Sequence, residues 1–136
     1  MLFRSLATVL TPNVPEAEML LGRRLADTAE LKRAVADLRS RGPGAIVLKG
    51  GHFENISATV RDYYADTRGS LEFTHRRLAY DARGTGCTLA SAIAAGLARK
   101  FTLRRAVIDA EKYLQTCYRH ALPIGRAKSR ALAHFG

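Results

Sequence analysis

The sequence predicts an α/β fold in which a mostly parallel sheet carries flanking helices and a hairpin at its edge. Residues 7–10 and 45–48 form two short, largely apolar runs, and segments with helical periodicity lie between them. Strands that are apolar on both faces are typical of a parallel sheet covered on both sides. Residues 59–64 and 71–74 instead alternate between apolar and polar side chains, which indicates a hairpin at the sheet edge.

The first part of the chain contains two predicted helices between the two buried strands. Pro12 ends the first strand, because proline has no N–H to give to the ladder. A short helix over residues 15–21 follows, with Asn13 as a candidate cap and Gly22 at its end. The second helix covers residues 28–40 and stops at a Gly-Pro-Gly sequence.

The later part of the chain contains the hairpin and two further helices. A turn over residues 66–70 joins the hairpin strands. One helix is predicted over about 87–99, and another begins after Thr102, a candidate cap. We expect residues 1–122 to form one domain and residues 123–136 to be a loosely ordered basic tail.

Composition excludes several classes of protein. The chain has 136 residues, a net charge of +10 and two cysteines without CxxC spacing, so a zinc site and a structural disulfide are not expected. No apolar run is long enough to span a membrane, and the N-terminus lacks the pattern of a secretory signal, so we expect a cytoplasmic protein. The basic residues are scattered without interleaved aromatics, which does not favour nucleic-acid binding.

The most informative stretch is the glycine-rich segment 84–88, which opens an alanine-rich helix. Gly84, Thr85, Gly86 and Cys87 place free backbone N–H groups and the positive end of a helix at one point, an arrangement that binds phosphate. Two plainer interpretations stand beside this one. The glycines could serve close packing, and Cys87 could be a small buried apolar residue.

Two further candidate sites follow the predicted buried strands. Asn13 and Glu16 lie three residues apart, and their oxygen atoms suit Mg²⁺ held partly through water, although ordinary helix capping explains the same pair. Lys49 ends the second buried strand, where α/β sheets bind ligands, and its charge could meet a phosphate. The plainer interpretation is a lysine that ends its strand in solvent. Asp62 is assigned to the hairpin as an edge residue.

The number of buried strands indicates that a larger sheet is involved. Residues 7–10 and 45–48 are the two parallel-type strands in evidence, and both read as fully buried. Two strands do not make a sheet with both faces covered. The pattern therefore predicts that this chain is part of a larger α/β sheet.

Three motifs together resemble the hydroxymethylpyrimidine/phosphomethylpyrimidine kinases of thiamine biosynthesis, which belong to the ribokinase-like superfamily. The motifs are TPNVPEAE at 11–18, VLKGGH at 47–52 and GTGCTLASAIAA at 84–95. They occur in the family's order and at similar separations, and the third is specific to this subgroup. The resemblance covers nearly the whole chain, which corresponds to the C-terminal half of a family member.

The resemblance implies an activity, ATP-dependent phosphorylation of hydroxymethylpyrimidine and then of its monophosphate, and it implies residue roles. Cys87 stands at the position of the base that takes the proton from the acceptor hydroxyl. The anion hole of the transferring phosphoryl group corresponds to Gly84, Thr85, Gly86 and Cys87. The pair that organises Mg²⁺ corresponds to Asn13 and Glu16, and the nucleotide phosphate contacts correspond to Lys49, Gly50 and Gly51. In this scheme Gly50 and Gly51 let the backbone approach the nucleotide.

The chain departs from the family pattern in two ways. Ala82 and Arg83 stand where the family has Thr-His, and the arginine could add a phosphate contact. The family's N-terminal half, which carries its first βαβ units and most of the pyrimidine pocket, has no counterpart here. The resemblance therefore implies that pyrimidine binding needs an N-terminal half. The candidate partners are a complementary subunit or a second copy of this chain in a homo-oligomer. A pyridoxal-type substrate is an open alternative to the pyrimidine. The alternatives are a non-catalytic remnant that binds nucleotide or a partner, and a basic nucleic-acid-binding domain.

Overall fold

The computed structural model describes residues 6–51, 58–123 and 129–134. The chain divides into two compact units, Met1–Arg77 and Leu78–Gly136. Each unit has its own sheet and its own pair of helices. No helix in the described ranges has both the length and the apolar character that a membrane crossing requires.

The first unit is built on a four-stranded sheet in which each strand pairs with the next along the chain. The order is β1 (Val9–Leu10), β2 (Ala45–Leu48), β3 (Thr59–Asp66) and β4 (Gly69–Arg76). The β1–β2 pairing is parallel, whereas the β2–β3 and β3–β4 pairings are antiparallel. This confirms the predicted parallel pairing and the predicted hairpin, whose second strand lies at the sheet edge. The predicted full burial is found in β2, whereas it was wrong for β1, which is half-buried.

Two helices complete the first unit, α1 (Val14–Leu21) and α2 (Thr28–Ser40). Asp27 caps α2 by accepting a hydrogen bond from the Glu30 N–H at 2.8 Å. The apolar stripe of α2 packs with α1, β2 and β3 into one core, and β2 is buried at every position. The buried members of this core are Val14, Ala17, Leu25, Leu31, Ala34, Val35, Leu38, Ile46, Leu48 and Tyr63.

The second unit consists of two packed helices and a small sheet. The helices are α3 (Thr85–Ala98) and α4 (Leu103–Arg119), and the strands are β5 (Asp81–Arg83), β6 (Leu122–Pro123) and β7 (Ser129–Ala131). A side chain at Gly96 would place its Cβ 2.9 Å from the Cβ of Ala106, so glycine is what lets α3 approach α4 this closely.

The structure adds two features to the predicted pattern. The hairpin turn is tighter than the predicted 66–70, because β3 continues to Asp66 and β4 begins at Gly69. Strand β7 falls within the segment for which loose order was expected, and it pairs with β5 and β6. Such short strands carry almost no sequence signal, since their stability comes from partners distant in the chain. The division into a domain over 1–122 and a tail over 123–136 stays a prediction.

Candidate functional site

The ends of the two parallel strands bring two predicted site residues side by side. Beyond β1 and β2, the parallel pairing continues as a single bridge between Asn13 and Lys49. The Lys49 N–H donates to the Pro12 carbonyl oxygen at 2.9 Å, which fixes the register of this bridge. Lys49 is half-buried at this position. The carboxyl edge of the parallel pair therefore presents an amide and a cation together, which is where α/β sheets bind ligands.

Asn13 and Glu16 form a reciprocal capping box at the start of α1. The Asn13 Oδ1 accepts from the Glu16 N–H at 2.9 Å, and the Glu16 Oε2 accepts from the Asn13 N–H at 2.8 Å. The capping interpretation of this pair is therefore confirmed. The two side chains also fit the outer environment of Mg²⁺, because they offer oxygen donors on one exposed turn. Within the described ranges, no three His, Cys, Asp or Glu side chains gather at one point, so a metal here would depend on water and phosphate for most of its ligands.

The two glycines after Lys49 differ sharply in their surroundings. Gly50 is buried against β3, and a Cβ built on it would lie 2.0 Å from the Arg61 carbonyl oxygen. Gly51 is exposed, and a Cβ there would meet no atom of the described residues within 4 Å. The close approach that requires glycine at Gly50 is therefore an approach to the neighbouring strand, which the sequence did not indicate.

Asp62 is the residue that sequence reasoning missed. It is only 5% exposed, its Oδ1 accepts from the Gly50 N–H at 2.7 Å, and its Oδ2 lies 3.3 Å from His75 Nε2. Its assignment as an edge residue was wrong, because β3 lies inside the sheet and β4 forms the edge. The available signal was the alternation of β3, which puts Asp62 in phase with the buried side chains of Val60 and Tyr64.

The glycine-rich segment forms the open N-terminus of α3. Gly84 occupies the cap position in the left-handed conformation, with φ of 84°, and no side chain caps the helix. Among the residues that the structure describes, a Cβ on Gly84 would meet no atom within 4 Å, so the close-packing interpretation is wrong at this glycine. By contrast, Asn13, Asp27 and Thr102 cap the other three helices of the described ranges. The first-turn N–H groups of α3 are thus left for solvent or an anion.

The two cysteines occupy opposite environments. Cys87 is exposed in the first turn of α3, so the interpretation of this residue as a buried packing thiol is wrong. Cys117 is fully buried in α4. Arg83 is exposed one residue before the cap glycine.

The predicted site residues are divided between the two units. The first unit holds Asn13, Glu16 and the turn of Lys49, Gly50 and Gly51, whereas the second holds the segment from Gly84 to Cys87. His52, the last residue of the second motif, lies outside the described residues.

An open groove runs along α3 within the second unit. It has a volume of about 620 Å³ and begins at Cys87. Small residues of α3, among them Ser91, Ala92 and Ala95, form one wall, and α4 forms the other with Ala110 and neighbouring side chains. No residue of α3 is charged, and Ala90, Ser91, Ala94, Ala95 and Ala98 are all exposed. A helix that is apolar all round is normally buried.

The chain is similar in sequence to known proteins. The chain matches the phosphomethylpyrimidine kinase family model over residues 1–131. It is 37% identical to the hydroxymethylpyrimidine/phosphomethylpyrimidine kinase of Synechococcus elongatus, over 96% of this chain and 49% of that protein. It is 38% identical to the thiamine biosynthesis bifunctional protein ThiED of Geobacter sulfurreducens, over 89% of this chain and 24% of that protein.

The solved structures that resemble this chain are kinases of the ribokinase-like fold. The Staphylococcus aureus pyridoxal kinase in complex with AMP-PCP and pyridoxal superposes with a TM-score of 0.84 at 26% identity, covering 94% of this chain and 48% of that one. The chain therefore spans about half the length of the single-function kinases that it matches. Since the family model covers all but the last five residues, the chain belongs to the phosphomethylpyrimidine kinase family.

Proposed function

We propose that this chain carries the nucleotide-handling part of a cytoplasmic kinase that transfers the γ-phosphoryl group of ATP to hydroxymethylpyrimidine and then to its monophosphate. The observation that carries the proposal is the open N-terminus of α3, which begins at a left-handed glycine and has no side-chain cap. Phosphoryl transfer depends on positioning and on stabilising negative charge more than on covalent chemistry. Uncapped N–H groups at a helix start are suited to this task.

Each residue has a defined role in the proposed reaction. The N–H groups from Gly84 to Cys87 hold the transferring phosphoryl group, and the exposed Cys87 acts as the base that takes the proton from the acceptor hydroxyl. Lys49, at the carboxyl end of β2, neutralises nucleotide phosphate. The oxygens of Asn13 and Glu16 would hold Mg²⁺, partly through water, and the metal would screen the phosphate charge.

We further propose that the pyrimidine pocket is supplied by a complementary half of the fold, which corresponds to the part of the relatives that this chain does not match. The chain spans 49% of the Synechococcus elongatus kinase. The uncharged α3 exposes five small residues beside the 620 Å³ groove, and a covering partner would remove this apolar surface from water. A complementary half of the ribokinase-like fold is the occupant that we assign to this face.

The test measures ADP formation that depends on hydroxymethylpyrimidine. The chain is assayed alone and mixed with the fragment of the Synechococcus elongatus kinase that it does not match. We expect turnover in the mixture and none from either piece alone. Turnover by the chain alone would refute the need for a partner. Absence of turnover together with absence of Mg·ATP binding would refute the proposed function, whereas binding without turnover would identify a non-catalytic member of the family.

Two cysteine variants separate the chemical role from general damage. Cys87→Ala should abolish turnover in the mixture and leave Mg·ATP affinity within about threefold, because the backbone N–H groups of α3 remain. Cys117→Ala, in the buried α4 position, should retain turnover. Unchanged turnover in Cys87→Ala would overturn the assignment of Cys87 as the base.

A further inference from the structure

The turn that follows β2 is held from two directions by residues of the neighbouring hairpin. Asp62 on β3 accepts the Gly50 N–H at 2.7 Å, and the Arg77 Nη1, just after β4, donates to the Gly51 carbonyl oxygen at 2.8 Å. Both contacts join residues far apart in sequence, with separations of 12 and 26 positions. Consecutive residues of one turn are thus fixed by side chains from two different strands.

The contact from Asp62 is the stronger constraint because of its environment. The Asp62 side chain is 6% exposed, and a buried carboxylate is stable only when hydrogen bonds or an opposite charge compensate it. Its two oxygens are used separately, one by the Gly50 N–H and the other by His75. A backbone N–H donated to a carboxylate is among the stronger hydrogen bonds in proteins. His75 thereby orients the carboxylate toward Gly50.

The backbone at Gly50 packs closely against β3. The position of a Cβ on Gly50 lies 2.0 Å from the Arg61 carbonyl oxygen, so the turn already touches β3. Lys49 is fixed on the other side, because its N–H donates to Pro12 and its backbone bridges to Asn13. The direction in which Lys49 leaves the sheet is therefore set by its own strand bridge and by the anchored glycine that follows it.

We propose that Asp62 is a positioning residue for the Lys49–Gly51 turn, with Arg77 as a second anchor. The inference deepens the proposed function, since it presumes that this turn meets nucleotide phosphate. Asp62 does not touch the nucleotide in this proposal. It acts through the Gly50 N–H, and it keeps the Lys49 backbone in the one orientation from which the ammonium group reaches phosphate. Phosphoryl transfer is sensitive to such placement, because misalignment of a positioning group by about 1 Å can cost a hundredfold in rate.

The experiment compares three aspartate variants by NMR and by titration with Mg·ADP. Asp62→Asn retains an oxygen acceptor for Gly50, whereas Asp62→Ala removes it. Asp66→Ala is the matched control, because Asp66 lies on the same strand and accepts the Arg68 N–H at 2.7 Å, away from the turn. The readouts are the hydrogen-exchange rate of the Gly50 amide, the Mg·ADP dissociation constant and the urea midpoint of unfolding.

We expect Asp62→Ala to raise Gly50 exchange and the Mg·ADP dissociation constant by about tenfold each, whereas Asp62→Asn should stay within about threefold of wild type in both. Asp66→Ala should lower the urea midpoint without changing either of the other readouts. If the role of Asp62 were purely structural, Asp62→Ala and Asp66→Ala variants that lose the same stability would also bind Mg·ADP with the same dissociation constant. That result would overturn the proposal.

The same measurements distinguish failure of this inference from failure of the proposed function. If the wild-type chain binds no Mg·ADP, the proposed function fails, and Gly50 exchange alone decides whether Asp62 fixes the turn. If the wild type binds but Gly50 exchange is the same in wild type and Asp62→Ala, the positioning role is refuted.

Arg77→Ala, compared with Arg76→Ala on the adjacent β4 position, should weaken Mg·ADP binding by a smaller factor of about threefold, since the Gly51 carbonyl is exposed.

Discussion

Replacement of Gly50 by alanine is the sharpest single perturbation that the structure offers. The new methyl carbon would lie 2.0 Å from the Arg61 carbonyl oxygen and 3.1 Å from its carbonyl carbon. Both opposing atoms belong to the backbone of β3, so no side-chain rotation can relieve the overlap. The turn must move away from β3 by more than 1 Å, which also stretches the 2.7 Å hydrogen bond from the Gly50 N–H to Asp62.

The magnitude follows from these two consequences. Overpacking of a closely fitted interior costs about 1–3 kcal/mol. A hydrogen bond to a charged group is worth about 1.5–3 kcal/mol, and its loss leaves one oxygen of the buried Asp62 carboxylate without its donor. We therefore expect Gly50→Ala to destabilise the first unit by about 3–5 kcal/mol. That is a large share of the about 5–15 kcal/mol that stabilises a typical domain.

Urea unfolding followed by circular dichroism measures the effect, and Gly51→Ala is the matched control. Gly51 is exposed and a Cβ there meets no atom within 4 Å in the described part of the chain, so this variant should change the stability by less than about 0.5 kcal/mol. With a urea slope of about 1.5–2 kcal/mol per molar, the midpoint of Gly50→Ala should fall by about 2 M. If the two variants unfold within about 0.5 M of one another, the packing of Gly50 against β3 is not as described and the reasoning fails.

Three further predictions test other parts of the molecule. Asn13→Ala should lower the stability by about 1 kcal/mol and the melting temperature by about 4 °C, because the α1 capping box is lost, whereas Asn13→Asp should retain the wild-type melting temperature. Gly96→Leu should cost about 1–3 kcal/mol by urea unfolding, because its Cβ lies 2.9 Å from the Cβ of Ala106, whereas Ala90→Leu on the exposed face should be tolerated. Burial, followed by the charge of Glu72, raises the pKa of Tyr63 above 10.0, so the folded state holds this proton more tightly than the unfolded state. The stability that the protonated Tyr63 hydroxyl contributes is present below pH 10 and is lost as pH rises through the pKa of the folded state. The free energy of unfolding of Tyr63→Phe should therefore fall less steeply with alkaline pH than that of the wild type.

Most of the first unit was predictable because its signals are local. The apolar run of β2, the spacing of Leu31, Val35 and Leu38 in α2, and the alternation of the hairpin each reflect burial of one face or of both. The capping of α1 by Asn13 was equally readable, since a cap and its partner lie three residues apart. The open start of α3 at Gly84 followed from two glycines before a run of strong helix formers.

The features that escaped prediction depend on contacts between distant parts of the chain. Gly50 requires glycine because of the Arg61 carbonyl oxygen, and Asp62 is buried because Gly50 donates to it. The requirement at Gly50 is not visible in the local sequence, where a Gly-Gly pair reads as a flexible turn. The burial of Asp62 was indicated only by the alternation of β3, against the usual exposure of an aspartate in a hairpin. Strand β7 was missed for the same reason, since its three residues are stabilised by pairing with β5 and β6.

Helix α3 lacks the two local devices that usually stabilise an exposed helix. Its first turn has no side-chain cap and no acidic residue, and none of its fourteen residues is charged, so no ion pair forms along its surface. Its alanine content favours helix, but that propensity does not account for five exposed small residues beside an open groove. Local rules are broken most often where function requires it. An acidic cap at Gly84 would repel a phosphate, and charges on the exposed face would oppose an apolar partner. Both omissions on α3 fit the proposed function, in which an anion binds at its N-terminus and an apolar partner lies along its side.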